Sequence, residues 1–187
     1  LNAFDLVNYA LLGVTFLGLY AALWRANGRA MVLAVVLGLA GIVVAFASSQ
    51  AFAMLSLSQR YAMAGEVERA VLLAEGEKLL WVDDPGALHP GAGPTVALLF
   101  VTLAALMMAM VMRRSSVFSR ATATVGFVGE SVQLLYFVAL ALARTPALLA
   151  IPPSAAAPFR LVWYLLLGRR LLQLAAAEKA DSRTVAD

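Results

Sequence analysis

The sequence contains no cysteine and one histidine, His89. The first absence excludes disulfides, thiolate metal sites, thiol redox chemistry and cysteine-ligated iron–sulfur clusters. A single histidine excludes a bis-histidine haem or a histidine-rich zinc centre built from this chain alone. Charge is scarce too. Only 13% of the 187 residues are charged, against 63% hydrophobic, and the mean hydropathy is +0.86. Soluble domains carry about twice that share of charge. So much apolar surface on a small chain needs a bilayer as solvent.

What is present is a series of apolar runs. A transmembrane helix needs about 20 consecutive, mainly apolar residues. Five stretches meet that length: Leu6–Trp24, Ala30–Leu57, Pro94–Met112, Thr122–Ala143 and Ser154–Leu172. The first is followed by Arg25 and not by a small-residue cleavage motif, so it reads as a span and not as a secretory signal. The fifth is expected to open after the proline-rich Ile151-Pro152-Pro153, with Arg160 near its start and the short apolar run 145–151 lying at the interface. The expected fold class is therefore all-α, an integral membrane helix bundle of about five transmembrane helices. Residues 1–174 form the bundle, and 175–187 form a polar tail.

The turns fix an expected orientation, because Lys and Arg concentrate in cytoplasmic loops. Arg25, Arg29, Arg113, Arg114, Arg120, Arg169, Arg170, Lys179 and Arg183 fall on one side. Arg60, Arg69, Lys78, Arg144 and Arg160 fall on the other, with most of the acidic residues. The reading is a multi-pass protein of a bacterial inner membrane with its C-terminus in the cytoplasm. The long connection 58–93 is then extracytoplasmic. Within it Glu66–Trp81 reads as an amphipathic helix, with Val67, Ala70, Val71, Ala74 and Trp81 near one face.

Few residues could carry chemistry. Glu130 is the one carboxylate inside a predicted span, and an ionisable group there is costly unless paired, protonated or wetted. Gln133 shares its face, three residues on. With no basic residue placed at matching depth, the expectation is a neutral carboxyl without an ion-pair partner in the chain. Ser49 and Gln50 form a second polar cluster late in the second span. Gly41, Ala45 and Ser49 recur at four-residue steps, a spacing that lets helices approach closely. Glu130, Gln133, Ser49 and Gln50 are the candidates for a ligand or a proton, and Gly41, Ala45 and Ser49 the candidates for helix packing. Asp83, Asp84 and His89, with Glu75 and Glu77 nearby, match no metal-site spacing and read as a solvated loop. Met107, Met108, Met110 and Met112 read as flexible packing, and Trp24, Trp163 and Tyr164 as interface anchors. Gly126 and Gly129 follow no strand and so form no nucleotide fingerprint.

Three blocks carry a resemblance: Leu55-Ser56-Leu57-Ser58-Gln59-Arg60-Tyr61-Ala62, the turn from Val111-Met112-Arg113-Arg114-Ser115 to Phe118-Ser119-Arg120-Ala121-Thr122-Ala123, and Ala157-Pro158-Phe159 to Trp163-Tyr164 with Gly168-Arg169-Arg170-Leu171. Together they resemble a family of uncharacterised prokaryotic multi-pass membrane proteins, a domain-of-unknown-function family, over 30–174. The resemblance implies a six-helix protein, with one helix before Leu1, and carries no activity. It implies small or amide residues around the place of Glu130, which makes that carboxylate particular to this chain. With no nucleophile–base pair, the expectation is not an enzyme. It is an accessory subunit packed against the bilayer and other membrane proteins or a second copy, with no cofactor, metal or nucleic acid. The alternative is a small transporter or ligand-binding protein using Glu130.

Overall fold

A computed structural model of the chain describes residues 2–83, 91–142 and 146–184. These form six helices and no strand: α1 (Asn2–Ser48), α2 (Ala51–Met63), α3 (Glu66–Asp83), α4 (Ala92–Arg114), α5 (Arg120–Leu142) and α6 (Pro146–Thr184).

α1 is a hairpin, broken at Asn27, whose backbone is extended (φ −162°, ψ 84°). The Asn27 side chain explains the restart. Its Oδ1 accepts the Ala30 backbone N–H at 3.1 Å, the N-cap bond by which asparagine starts a helix. The two arms then run back along each other. A Cβ on Gly13 would stand 3.4 Å from Ile42 Cδ1, and one on Gly38 would meet the Phe16 ring, pairs nearly equidistant from Asn27. Four helical stretches are long and apolar enough to cross a membrane, the first of them the 58-residue Leu6–Met63. At about 1.5 Å per residue that stretch far exceeds a hydrocarbon core of about 30 Å. The break at Asn27 divides α1 into two crossings, and α4, α5 and α6 supply three more. The molecule is an all-α bundle of membrane-spanning helices.

α1 lies on α4, α4 also touches α5, and α5 pairs with α6. One apolar core joins them, with Phe16, Leu19, Leu23, Met31, Ala104, Ala105, Met108 and Met112 at its centre and Trp163 and Leu167 entering from α6. The outer faces are apolar as well: Phe4, Leu11, Val14, Val36, Val43, Leu135, Leu142 and Leu165 are exposed. A soluble monomer seldom presents so much contiguous apolar surface, whereas lipid tails solvate it.

Two boundaries and one packing face differ from expectation. The second span ends at Ser48 and not at Leu57. Ser48 Oγ donates back to Val44 O at 2.7 Å and Gln50 Nε2 to Ser48 O at 3.4 Å. Such side chains compete for the backbone groups that would continue a helix. α6 begins at Pro146 and runs unbroken through Pro152, Pro153 and Pro158. Proline is tolerated there because a bilayer penalises an unwound backbone more than a few missing bonds. Finally, α3 packs on α2 through Leu72, with Leu57 and Ala64 opposite. Leu57 Cδ2 sits 3.1 Å from where a Gly76 Cβ would be. The face carrying Val67 and Val71 is exposed. α3 has two apolar sides, and α2 takes the one notched by Gly76. The side chain of Trp81 lies outside the described residues, as do Asp84, Ala87 and His89.

Candidate functional site: an ion pair inside the bundle

Glu130 stands ten residues from the start of α5 and twelve from its end, about 15 Å from the near end at about 1.5 Å per residue. Its side chain is fully buried. The partner is Arg160 of α6. Arg160 Nε donates to Glu130 Oε1 at 2.9 Å and its second terminal nitrogen to Oε2 at 3.3 Å. A third bond runs from the remaining terminal nitrogen to Gln133 Oε1, at 3.3 Å. One planar guanidinium thus holds both residues of the Glu130/Gln133 face, the forked geometry for which arginine is suited.

The expectation that the carboxyl has no ion-pair partner in the chain is therefore corrected. It rested on placing Arg160 near the outer mouth of a helix that starts at Ser154. Because α6 starts at Pro146, Arg160 lies fourteen residues in, roughly 21 Å along the helix, opposite the middle of α5.

Two glycines bring the helices together. A Cβ on Gly126 would occupy the Trp163 indole, and one on Gly129 would come 2.9 Å from Phe159 Cβ and 3.6 Å from the Arg160 backbone nitrogen. Gly126, Gly129, Glu130 and Gln133 thus make one continuous contact face on α5. Trp163 is fully buried in it and does not act as the interface anchor expected. Tyr164, one turn beyond Arg160, and Tyr9 of α1 are near enough to couple electrostatically to the guanidinium. Two donors at this contact, Trp163 Nε1 and Gln133 Nε2, are buried without a partner among the described residues.

The structure places the other candidates elsewhere. Ser49 and Gln50 form the joint between α1 and α2, at one end of the bundle. Gly41 faces α4, where its Cβ would stand 2.9 Å from Phe100 Cβ and 3.0 Å from Ala97 O, and Ala45 is buried. Glu75 and Glu77 are exposed on α3. Among the described residues no three His, Cys, Asp or Glu side chains converge on a point that could hold a metal ion.

The arrangement has limited chemistry. A carboxylate engaged in two charge-assisted hydrogen bonds takes up a proton only at the expense of those bonds, so proton uptake competes with the Arg160 contact. Sequence reasoning could have found the partner by elimination: an arginine inside a span needs an acid, and Glu130 is the one acid inside any span. Comparison with family models, with curated proteins and with solved structures found no match.

Proposed function

We propose that the chain is a non-catalytic, multi-pass membrane subunit in which Glu130–Arg160 fixes the register of α5 on α6, and whose outer faces pack against other membrane proteins or a second copy. The observation that carries this reading is that the one intramembrane carboxylate is held within the chain by Arg160. A proton- or ligand-binding role would have to compete with that pairing. The experiment is purification from its native membrane in mild detergent, with crosslinking and mass spectrometry of the bands. A defined hetero-complex or homo-oligomer is the expected result, and an exclusively monomeric protein without crosslinks would count against it. If instead proteoliposomes show proton uptake that Glu130→Gln abolishes while the protein stays folded, the transporter reading replaces it.

We further propose a bacterial inner membrane, with the arginine-rich end and the C-terminus in the cytoplasm. The support is that the Asn27 turn adjoins the end of α4 and that Arg170 Nε donates to Val117 O in the α4–α5 turn at 2.8 Å. Arg25, Arg29, Arg113, Arg114, Arg120 and Arg170 therefore share one end of the bundle, which by charge bias is the cytoplasmic one. α3 would then meet the outer membrane surface with its exposed Val67/Val71 face. The sequence has no cysteine, so single-cysteine variants of it report cleanly. A cysteine at Ser58 should react with an impermeant maleimide in intact cells, and one at Ser116 only after lysis. The reverse pattern would invert the topology.

A further inference from the structure

At the arginine-rich end a groove of about 320 Å³ lies between the α1 turn and the last two turns of α4. Its walls are Asn27, Ala30, Met107, Met110, Val111 and Arg114. The α4 residues follow at steps of three, one and three, so they form a single stripe along the helix. That stripe runs about 10 Å, at about 1.5 Å per residue, from a charged mouth at Arg114 to an apolar floor at Met107. The gradient follows the helix axis, as the polarity of a membrane does from its surface inward.

The mouth is built to receive an anion. Arg114 has no hydrogen-bond or ion-pair partner among the described residues, in contrast to its neighbour Arg113, whose guanidinium lies over the Phe127 ring at 5.3 Å. Arg25 and Arg29 flank the turn, equally unpartnered. Asn27 spends its Oδ1 on the Ala30 N–H, which leaves its amide N–H groups free to donate. The second arm of α1 begins at this point, so its first backbone N–H groups add the positive end of a helix dipole. No acidic residue occurs between Leu6 and Arg60 or between Ala92 and Ser119, so nothing in either turn competes for these cations. Below the mouth, the methionines offer adaptable apolar contact.

We infer that this groove binds an anionic phospholipid, with the phosphate at Arg114 and Asn27 and the upper part of one acyl chain along Met110 and Met107. A free inorganic anion would use the mouth and leave the apolar floor unused, so the lipid is the occupant that fits both halves. The inference stands apart from the subunit reading above, since it needs only that this end of the bundle lies at the membrane surface.

The test uses the full chain in a neutral detergent, with binding read by native mass spectrometry and by thermal shift. Phosphatidylglycerol should bind as a discrete adduct and raise the melting temperature, while phosphatidylcholine and inorganic phosphate at equal concentration should not. Arg114→Gln should weaken the phosphatidylglycerol adduct about fivefold, on the order of one lost arginine–headgroup contact. Met110→Trp, which fills the floor and keeps every charge, should weaken it as well. Both variants must keep the lipid-free melting temperature, which their positions at the edge of the core permit. Where Arg114→Gln does not keep it, Arg114→Met, which retains the length of the side chain at this exposed position, takes its place. Equal binding of phosphatidylcholine would mean ordinary annular lipid, and a matching effect of phosphate alone would mean a simple anion site. Either result, or undiminished binding by both variants, overturns the proposal.

Discussion

The α1–α4 and α5–α6 contacts solve the same problem with different chemistry. Both are notched by glycine. Gly38 and Gly41 admit Ala104, Phe100 and Val101 on the α1 side, and Gly126 and Gly129 admit Trp163 and Phe159 on the other. The α1–α4 contact is otherwise apolar in the residues that meet these notches. The α5–α6 contact adds a bidentate ion pair and an amide. Between helices in lipid, apolar contacts lack the hydrophobic driving force they have in water, and shape does most of the selecting. Shape can select one register out of several only where the notches are unique. Small residues are so frequent on α5 and α6 that glycine notches alone would admit sliding. A charge that can be neutralised at one position removes that freedom, because any shift strands both ions in a low dielectric. The polar lock thus supplies specificity where the apolar surface is least distinctive.

The sharpest way to break this comparison is to remove one ion. Glu130→Leu should leave Arg160 unpaired within the bundle and destabilise by about 3–5 kcal/mol, the usual cost of stranding a buried charge. Glu130→Gln, which keeps an acceptor for one of the two bonds, should cost less. The double variant Glu130→Leu with Arg160→Met should recover most or all of the loss, since apolar replacements of a buried pair are often neutral or better. Unfolding in mixed micelles by denaturing detergent measures all three. If Glu130→Leu alone is as stable as the parent, the ion pair contributes nothing to folding and the α5–α6 contact is no different in kind from α1–α4.

A smaller effect should separate the notches themselves. Gly41→Leu must push α4 away at Ala97 and Val101, whose atoms are already 3.0 Å from the position of a bare Cβ. Overpacking of this kind costs about 1–3 kcal/mol. Gly129→Leu meets a similar obstacle at Phe159, but it also pushes Arg160 off Glu130. Its cost should exceed that of Gly41→Leu, and combining it with Glu130→Leu should be clearly non-additive, because the second change removes an interaction the first has already strained. Strict additivity would show that notch and ion pair act independently.

The sequence made some of this legible and hid the rest for identifiable reasons. Apolar run lengths located every crossing, because a bilayer imposes a length on any helix that spans it. Glu130 stood out because it was the one acid in an apolar run. Arg160 was misplaced because the Pro152-Pro153 pair argued for a helix start after it, which holds in water and not where unpaired backbone is more costly than a missing N–H. The same misplacement put Trp163 at the interface and hid its fit against Gly126, since an aromatic at a helix end and one in a glycine notch look alike until the helix start is known. Asn27 lies in the turn after the first span, and its capping bond to Ala30 follows from its type. The groove beside it was not legible, because it needs the far end of α4 to be brought to the turn.

The smallest effect concerns Gly168. It lies in α6, and a Cβ there would meet nothing within 4 Å, unlike the glycines at either contact. Nothing among the described residues requires glycine here, and the helix would gain from a residue that loses less backbone entropy. Gly168→Ala should therefore stabilise the isolated chain slightly, by up to about 1 kcal/mol, where Gly126→Ala should destabilise it through the Trp163 ring. The contrast tests whether glycine marks a contact surface in this protein. Gly168 is exposed on the flank of α6, on a face where a neighbouring subunit could approach as closely as Trp163 approaches Gly126. If Gly168→Ala raises the melting temperature of the purified chain yet lowers the yield of crosslinked complex, the open notch is a seat for a partner helix. If it raises the first and leaves the second unchanged, Gly168 faces lipid and the partner surface must lie elsewhere on the bundle.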